Sequence, residues 1–347
     1  MQEQAGGKRA GVDVLIVSLG STAGLRAADA QLRDALQRAG AGVALVAAAR
    51  PRQVRTMALT DLGWAHAARV AATEGIERHR PRAIVYSSTT AALLWPRPGA
   101  IRFDAPNAGN RPGRHGLWQR PLERRRLAQS PLLLPWSEGA LAELPTSAQL
   151  DARSLVLHVA VEPSGSPERV RDIAAITYAA NPVKKGLDRV LDAWRSVRGE
   201  RGGAAGELVV AGATDAELCA AGFALAGQAG VRSVGPLPPS AYRALLRRSR
   251  VFLCAPRRED YGIAQLEALA DGCVLVTTPA PGPYAALPIA RDLDSRFVKD
   301  DLAEALRAAL EQPPHDYATR ALAALDGFMG RSLEARVRAD LLPRLLV

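Results

Sequence analysis

The stretch VFLCAPRREDYGIAQLEALADGCVLVTT, residues Val251 to Thr278, contains a complete strand, loop, helix and strand pattern. Its first apolar run ends near Pro256, a charged loop reaches Gly262, and a helical pattern extends from Ile263 to Gly272. Continuous apolar runs are typical of strands that are buried on both faces of a parallel sheet. We therefore expect the loop at the carboxyl edge of such a sheet, where ligands bind in open α/β folds.

The same alternation continues through both halves of the chain. Strands are predicted at 12–20, 42–49, 82–88, 130–137, 174–180, 206–212, 231–235, 249–256 and 273–278, and helices at 24–40, 65–78, 186–199 and 239–249. Alternating strands and helices predict two doubly wound α/β domains. We place these domains at residues 1–162 and 163–325, with the polar segment 158–172 as the linker.

Composition limits the class of protein. A length of 347 residues with 48% hydrophobic content supports about two globular domains. The three cysteines and five histidines show no metal-ligand spacing and no disulfide framework, and the Asp292 to Asp294 motif follows no buried strand, so we expect no metal. No stretch approaches the roughly 20 apolar residues of a membrane span, and the polar N-terminus is unlike a secretion signal. These features predict a cytoplasmic protein.

Two glutamates bracket the start of the helix in the opening stretch. Unpaired N–H groups and the positive end of the dipole make a helix N-terminus suitable for phosphate, and Gly262 allows close approach to the backbone. Glu259 and Glu267 would repel a phosphate, but each carboxylate can accept hydrogen bonds from two adjacent hydroxyls. A ligand with sugar hydroxyls on both sides of a pyrophosphate is a nucleotide sugar.

At this motif the sequence resembles the retaining glycosyltransferases of family 4. Glu259, Tyr261-Gly262 and the segment from Glu267 to Gly272 match the E-x7-E donor motif of that family, and the resemblance extends from about Ala174 to Leu310. It implies a GT-B fold of two facing Rossmann-like domains with a cleft between them. It also implies that Glu259 contacts the donor sugar, that Tyr261 and the backbone of Gly262 and Ile263 lie at the diphosphate, and that Glu267 binds the ribose.

The domain roles follow from the same resemblance. Residues 1–162 would form the acceptor domain and residues 163–325 the nucleotide-sugar domain. Residues 326–347 are predicted as a C-terminal helix that crosses back to the N-terminal domain, as in that fold.

A second segment, YAANPVKKGLDRVLDAW, is similar to the phosphate segment of the family. Lys185 and Gly186 align with its Lys-Gly pair, so Lys185 is implied as the catalytic cation, with Asn181 beside it. A fixed cation lowers the barrier to diphosphate departure because it stabilises the charge that develops on the leaving oxygen.

Ala180 is the main departure from the family, which has arginine at this position. Three arginines are candidates to restore the charge: Arg189, one helical turn after Lys185, and Arg257 or Arg258 beside Glu259.

Other residues are assigned to the base and to the acceptor. Leu237, after Gly235, is implied at the base pocket by the family resemblance. Ser21 lies in the turn after the first strand and is a candidate for the donor or acceptor side. Asp104 follows a short apolar run and is a candidate for the acceptor side.

Basic residues are concentrated in the first half of the chain. Residues 1–162 carry 21 basic and 13 acidic residues, whereas the remainder carries 24 and 22. Eight arginines lie between Arg97 and Arg126, together with Leu117 and Trp118. This pattern fits a solvated surface as well as a binding surface for an anionic acceptor or the inner membrane face. It does not favour nucleic acid, because no recognition fold accompanies the charge.

These observations predict a metal-independent, retaining glycosyltransferase that moves a hexose from a nucleotide diphosphate sugar to an acceptor hydroxyl without a cofactor. No strong protein base is expected, because the departing phosphate oxygen can take the proton of the acceptor. One alternative is a nucleotide-sugar sensor or partner subunit with the same pocket and no chemistry. Another is a basic protein that binds acidic lipid or polymer in a salt-sensitive way and has no nucleotide affinity.

Overall fold

The computed structural model describes residues 11–52, 56–111, 113–144, 152–166, 170–200 and 206–346. The chain separates into two compact units, one made of Met1–Ala160 with Arg331–Val347 and the other of Val161–Gly330. Each unit has one five-stranded sheet in which all pairings are parallel. The predicted class of two doubly wound α/β domains is confirmed.

The first unit winds its helices around a sheet of order β2-β1-β3-β4-β5. Its strands are β1 Val14–Ser18, β2 Val43–Ala47, β3 Ala83–Tyr86, β4 Ala100–Phe103 and β5 Leu133–Pro135. Its helices up to residue 144 are α1 Ala23–Arg38, α2 Met57–His79, α3 Thr89–Ala92, α4 Asn107–Asn110, α5 Gln119–Gln129 and α6 Glu138–Ala142. The strand order reverses between β1 and β3, so the switch point of this sheet lies at the carboxyl ends of those two strands.

Burial on both faces of the sheet explains the uninterrupted apolar runs. Along β1, Leu15 and Val17 pack in the core on one face, while Val14 and Ile16 pack in the core on the other. Successive side chains of a strand point to opposite faces of the sheet. When both faces are buried, most of these side chains are apolar, and the sequence shows no alternation with polar residues.

The C-terminal residues complete one of these two cores. A helix α14 Gly330–Arg336 continues through a π turn Val337–Leu341 into a helix α15 Leu342–Leu345. Leu333, Val337 and Leu341 are buried in the cluster that contains Val14 and Leu36.

Strand β4 is not among the predicted strands. The sequence between residues 88 and 130 reads as a polar region, because Arg102 interrupts its short apolar run. The Arg102 side chain is nevertheless fully buried. Its Nη1 donates to the Ala28 carbonyl at 3.1 Å and lies 3.7 Å from Asp29 Oδ1, and its guanidinium lies 5.0 Å from the Trp136 ring centroid. These partners offset part of the cost of burying a charge in apolar surroundings.

The second unit has a sheet of order β10-β9-β6-β7-β8. Its strands are β6 Ile173–Tyr178, β7 Leu208–Ala211, β8 Val231–Gly235, β9 Ser249–Cys254 and β10 Val274–Thr277. Its helices are α7 Leu187–Glu200, α8 Asp215–Ala220, α9 Pro239–Arg248, α10 Ile263–Ala270, α11 Ala286–Asp294, α12 Leu302–Glu311 and α13 Tyr317–Ala324. Here the strand order reverses between β6 and β9, which makes their carboxyl ends the expected ligand site.

Part of the predicted linker is packed on the second unit. The Val161 amide donates to the Phe328 carbonyl at 2.9 Å, and the Glu162 carboxylate accepts the Gly330 amide at 2.6 Å. Ser164 donates to the Asp271 carboxylate through its amide at 2.8 Å and through its hydroxyl at 2.9 Å. Residues 161–164 of the predicted linker therefore have fixed partners within the second unit.

Among the described residues, no helix has both the length and the apolar character needed to cross a bilayer. The three cysteines are free, and Cys254 and Cys273 are buried, as expected for small core residues.

Candidate active site

The switch point of the second sheet brings together two segments that are far apart in the sequence. Strands β6 and β9 are parallel neighbours, so the turn after β6 and the loop after β9 leave the sheet at the same edge. The first carries Lys185 and the second carries Glu259. Lys185 Nζ donates to Glu259 Oε2 at 2.6 Å, although 74 residues separate them.

The turn that carries Lys185 is held tightly against the end of β9. Gly186 has a φ of +65°, and a Cβ added there would lie 1.9 Å from the Ala255 carbonyl oxygen. The Arg257 amide donates to the Lys184 carbonyl at 2.9 Å, and the Lys185 amide donates to the Asn181 carbonyl at 2.9 Å. The turn needs glycine both for its left-handed backbone and for its closeness to β9.

Glu259 lies in a buried network of charged and polar groups. It is 5% exposed, and its Oε2 also accepts a hydrogen bond from Gln265 Nε2 at 2.9 Å. The pairing with Lys185 matters because a buried carboxylate without a partner would be strongly unfavourable.

A second ion-pair cluster involves the neighbouring residues Lys184, just before Lys185, and Asp260, just after Glu259. Lys184 Nζ donates to Asp260 Oδ2 at 2.6 Å, and Arg258 Nε donates to Asp260 Oδ1 at 3.2 Å. The Asn181 side chain accepts the Lys184 amide at 3.0 Å and so orders the start of the turn. Three cations and two carboxylates are therefore concentrated at this edge of the sheet.

Helix α10 begins beside this cluster with a glycine instead of a side-chain cap. Gly262 is the N-cap residue and has a φ of +92°. Because glycine has no side chain, the helix start has no side-chain capping hydrogen bond. A Cβ at Gly262 would lie 2.9 Å from the Tyr284 ring. The first amides of the helix, from Ile263 onward, have no intrahelical acceptor, which makes this end suitable for an anion. The buried Tyr261 before it fixes the loop, because its carbonyl accepts the Ala285 amide at 3.0 Å.

Glu267 lies one turn further along α10 and faces Arg243. The Arg243 Nη1 atom is 3.6 Å from Glu267 Oε1. Burial raises the pKa of Glu267, the Arg243 charge opposes this increase, and the Asp271 charge adds to it. Burial and the nearby Glu267 charge likewise raise the pKa of Tyr178 and Tyr242.

The three candidate replacement arginines lie in different surroundings. Arg189 is exposed on α7. Arg257 forms a two-pronged ion pair with Asp188, with Nη2 to Oδ2 at 2.8 Å and Nη1 to Oδ1 at 3.2 Å. Only Arg258, among these three, contacts the charged cluster around Asp260. Leu237 lies partly exposed in the segment between β8 and α9.

Ser21 and Asp104 both belong to the first unit. Ser21 is exposed in the turn after β1 and directly precedes Thr22, the N-cap of α1. Asp104 follows β4, and its Oδ1 accepts the Ala105 amide at 2.9 Å. Both residues therefore lie at the carboxyl edge of the first sheet.

Several arginines between Arg97 and Arg126 are held inside the first unit. Besides the buried Arg102, Arg97 donates to the Pro81 carbonyl at 2.8 Å, and Arg111 pairs with Asp61 at 2.7 and 3.1 Å. Arg126 donates to the Leu93 carbonyl at 2.9 Å, and its guanidinium lies 5.2 Å from the Trp95 ring centroid. The segment is thus less of a basic surface than its composition indicates, although Arg124, Arg125 and Leu117 are exposed.

Over the described ranges, no group of three or more His, Cys, Asp or Glu side chains is arranged to hold a metal ion.

The chain is similar to known proteins in the sequence of its second unit and in its fold. Residues 172–312 match the family described as "Glycosyl transferases group 1". A search of curated proteins found no sequence match. Among solved structures, the lipopolysaccharide-biosynthesis glycosyltransferase WaaG superposes with a TM-score of 0.68 at 16% identity, over 95% of this chain and 99% of that one.

Two further structures have the same fold. Trehalose-6-phosphate synthase OtsA superposes with a TM-score of 0.67 at 13% identity, over 95% of this chain and 98% of that one. HepE of Anabaena, solved in complex with UDP and glucose, has a TM-score of 0.64 at 13% identity, over 95% of this chain and 99% of that one. The chain therefore has the GT-B fold, and its residues 172–312 match the group 1 glycosyltransferase family in sequence.

Proposed function

We propose that the protein is a retaining, metal-independent hexosyltransferase that uses a nucleotide diphosphate sugar as its donor. The observation that carries this proposal is the contact between Lys185 and Glu259 beside the uncapped start of α10, with Glu267 one turn further on. The Lys185 ammonium and the first amides of α10 suit the diphosphate. The two carboxylates suit the hydroxyls on either side of it.

The role of Lys185 follows from the charge that it faces. Its ammonium group pairs with Glu259. On donor binding we expect it to turn to the diphosphate, which frees Glu259 to accept hydrogen bonds from the sugar hydroxyls. Breakage of the bond between sugar C1 and the diphosphate oxygen places negative charge on that oxygen, where Lys185 and the first amides of α10 stabilise it.

Retention requires the acceptor to attack from the side of the leaving group. The acceptor oxygen forms its bond to C1 on the face from which the diphosphate departs, and its proton passes to the departing phosphate oxygen. This step is balanced without a protein base. It also needs no metal, because fixed cations of the chain neutralise the developing charge.

A uridine nucleotide is the first donor to test. The Anabaena HepE structure contains UDP and glucose, and that of the pneumococcal O-GlcNAc transferase contains UDP and GlcNAc. Residues 161–330 would form the nucleotide-sugar domain, with Leu237 at the base. Residues 1–160 would form the acceptor domain, with Ser21 and Asp104 on the acceptor side and the exposed arginines near Arg124 as contacts for an anionic acceptor or a membrane surface.

Donor hydrolysis tests the proposal directly. Purified protein is incubated with UDP-, GDP- and ADP-sugars, and release of the nucleoside diphosphate is measured alongside thermal stabilisation by each nucleotide. We expect one donor to be hydrolysed and the activity to fall roughly 100-fold or more in Lys185→Ala and Glu259→Ala. Arg195→Ala, an exposed change further along α7, is the matched control and should retain activity. A protein that neither binds nor hydrolyses any of these donors contradicts the proposal.

Ala180 favours a second candidate function, a nucleotide-sugar sensor or partner subunit. The family that the sequence resembles has an arginine here, and its loss removes one cation from the leaving group. In the experiment above, thermal stabilisation by a donor without any release of nucleoside diphosphate would select the sensor.

A further inference from the structure

Arg243 has a different oxygen atom in front of each of its three side-chain nitrogens. Nε donates to Asp271 Oδ2 at 2.6 Å, and Nη2 donates to the Glu162 carbonyl at 2.7 Å. Nη1 faces Glu267 Oε1 at 3.6 Å. The planar guanidinium can satisfy three acceptors in fixed directions, which a lysine ammonium on a flexible stem cannot do in the same way.

The partners of Arg243 are themselves fixed. Asp271 is fully buried and also accepts hydrogen bonds from the amide and hydroxyl of Ser164. Glu162 is held by the Gly330 amide. Two of the three contacts therefore anchor the guanidinium to rigid parts of the second unit, and the third is directed at Glu267.

Glu267 needs such a partner because of its surroundings. It lies four residues before Asp271, so the two carboxylates repel each other along α10 and its end. Tyr178 and Tyr242 also lie near Glu267, and neither brings positive charge. Arg243 is the cation that compensates this repulsion, and burial strengthens its effect.

We propose that Arg243 is a positioning residue that holds the Glu267 carboxylate in place to grip the ribose hydroxyls of the donor. This inference rests on the proposed function, in which Glu267 binds the ribose. Arg243 does not itself contact the donor. Its effect reaches the nucleotide through the position and charge of Glu267.

The test compares each nucleotide with its dideoxy form. UDP, GDP and ADP are titrated into the full chain beside 2′,3′-dideoxy-UDP, -GDP and -ADP, and the affinity ratio of the two forms is measured. We expect the wild type to prefer the ribose form of its own nucleotide by about tenfold or more. The ratio should fall towards one in Arg243→Gln, and in Glu267→Ala the additional change Arg243→Gln should have no further effect.

Arg247→Gln is the matched control. Arg247 lies one turn further along α9, and its Nη1 donates to the Ser164 hydroxyl at 2.6 Å, so it anchors the same segment without facing Glu267. It should keep the wild-type ratio. Arg243→Lys, which retains the charge and is the milder change if Arg243→Gln folds poorly, should give an intermediate ratio.

The outcomes separate the two proposals. If the wild type prefers ribose and both Arg243 variants keep the full preference, the positioning role is wrong and the proposed function stands. If the wild type binds no nucleotide, both are wrong. A structural defect alone lowers the fraction of protein that binds and leaves the ratio unchanged.

Discussion

Ala180 stands where the family that the sequence resembles has an arginine, and this difference is the reason for considering a sensor beside an enzyme. Ala180 is exposed directly after β6, at the entrance to the turn that presents Lys185. If chemistry is limited by departure of the diphosphate, Ala180→Arg should raise the turnover number of donor hydrolysis by roughly tenfold, because a second cation stabilises the leaving oxygen.

The measurement is steady-state kinetics of donor hydrolysis, with Ala180→Gln as the control. Glutamine adds a long polar side chain without charge, so an equal increase in both variants would assign the effect to side-chain length. No increase in either would show that the charges already near Asp260 are sufficient.

Individual site residues differ in how much of their role the sequence indicates. Glu259, Gly262 and Glu267 lie within one continuous stretch, so a local pattern of strand, loop and helix start predicts their common location. Arg243 and Gln265 give no such signal. Arg243 is one of many arginines in an arginine-rich chain, and its relation to Glu267 exists only after α9 and α10 have packed together.

The turn after β6 depends on Gly186 for its position. Gly186→Ala combines a left-handed alanine, which costs about 1–2 kcal/mol, with a Cβ that would lie 1.9 Å from the Ala255 carbonyl oxygen, directly after β9. We expect the variant to melt at least about 6 °C below the wild type and to lose nucleotide binding, because the turn that carries Lys185 must move away from Glu259.

Gly235→Ala separates these two effects. Its φ of +67° is nearly the same, but an added Cβ there meets no atom within 4 Å. It should therefore show only the backbone cost, about 2–5 °C in melting temperature. Equal destabilisation of the two variants would mean that contact with Ala255 does not matter.

Strand β4 illustrates a limit of pattern reading for whole elements. The apolar runs of β1, β6 and β9 predicted their strands because each strand contains four consecutive apolar residues. In β4 the buried charge of Arg102 has the same appearance in the sequence as a surface arginine. Its partners Asp29 and Trp136 come from distant parts of the chain, so only the folded unit identifies it as a core residue.

The two units differ in how they are built from the chain, so their stabilities should respond differently to changes in the C-terminal residues. The second unit is continuous in sequence, whereas the first needs residues 331–347 to complete its core. Sequence patterns predicted a C-terminal helix, but they did not indicate which of its side chains are buried. Val337 and Leu341 are fully buried, and Leu333 is 5% exposed.

Removal of these contacts should weaken the first unit and leave the nucleotide site intact. The double change Val337→Ala and Leu341→Ala should cost roughly 4 kcal/mol, because cavities form beside Val14 and Leu36. Hydrogen exchange followed by mass spectrometry should show faster exchange in β1 and α1, while segments 181–187 and 259–267 keep their wild-type rates.

Arg338→Ala, an exposed change in the same turn, is the control. It should alter the exchange of neither set of segments, since surface substitutions usually have effects within about 0.5 kcal/mol. Faster exchange around Lys185 and Glu259 in the double variant would instead mean that the stability of the second unit depends on the C-terminal residues.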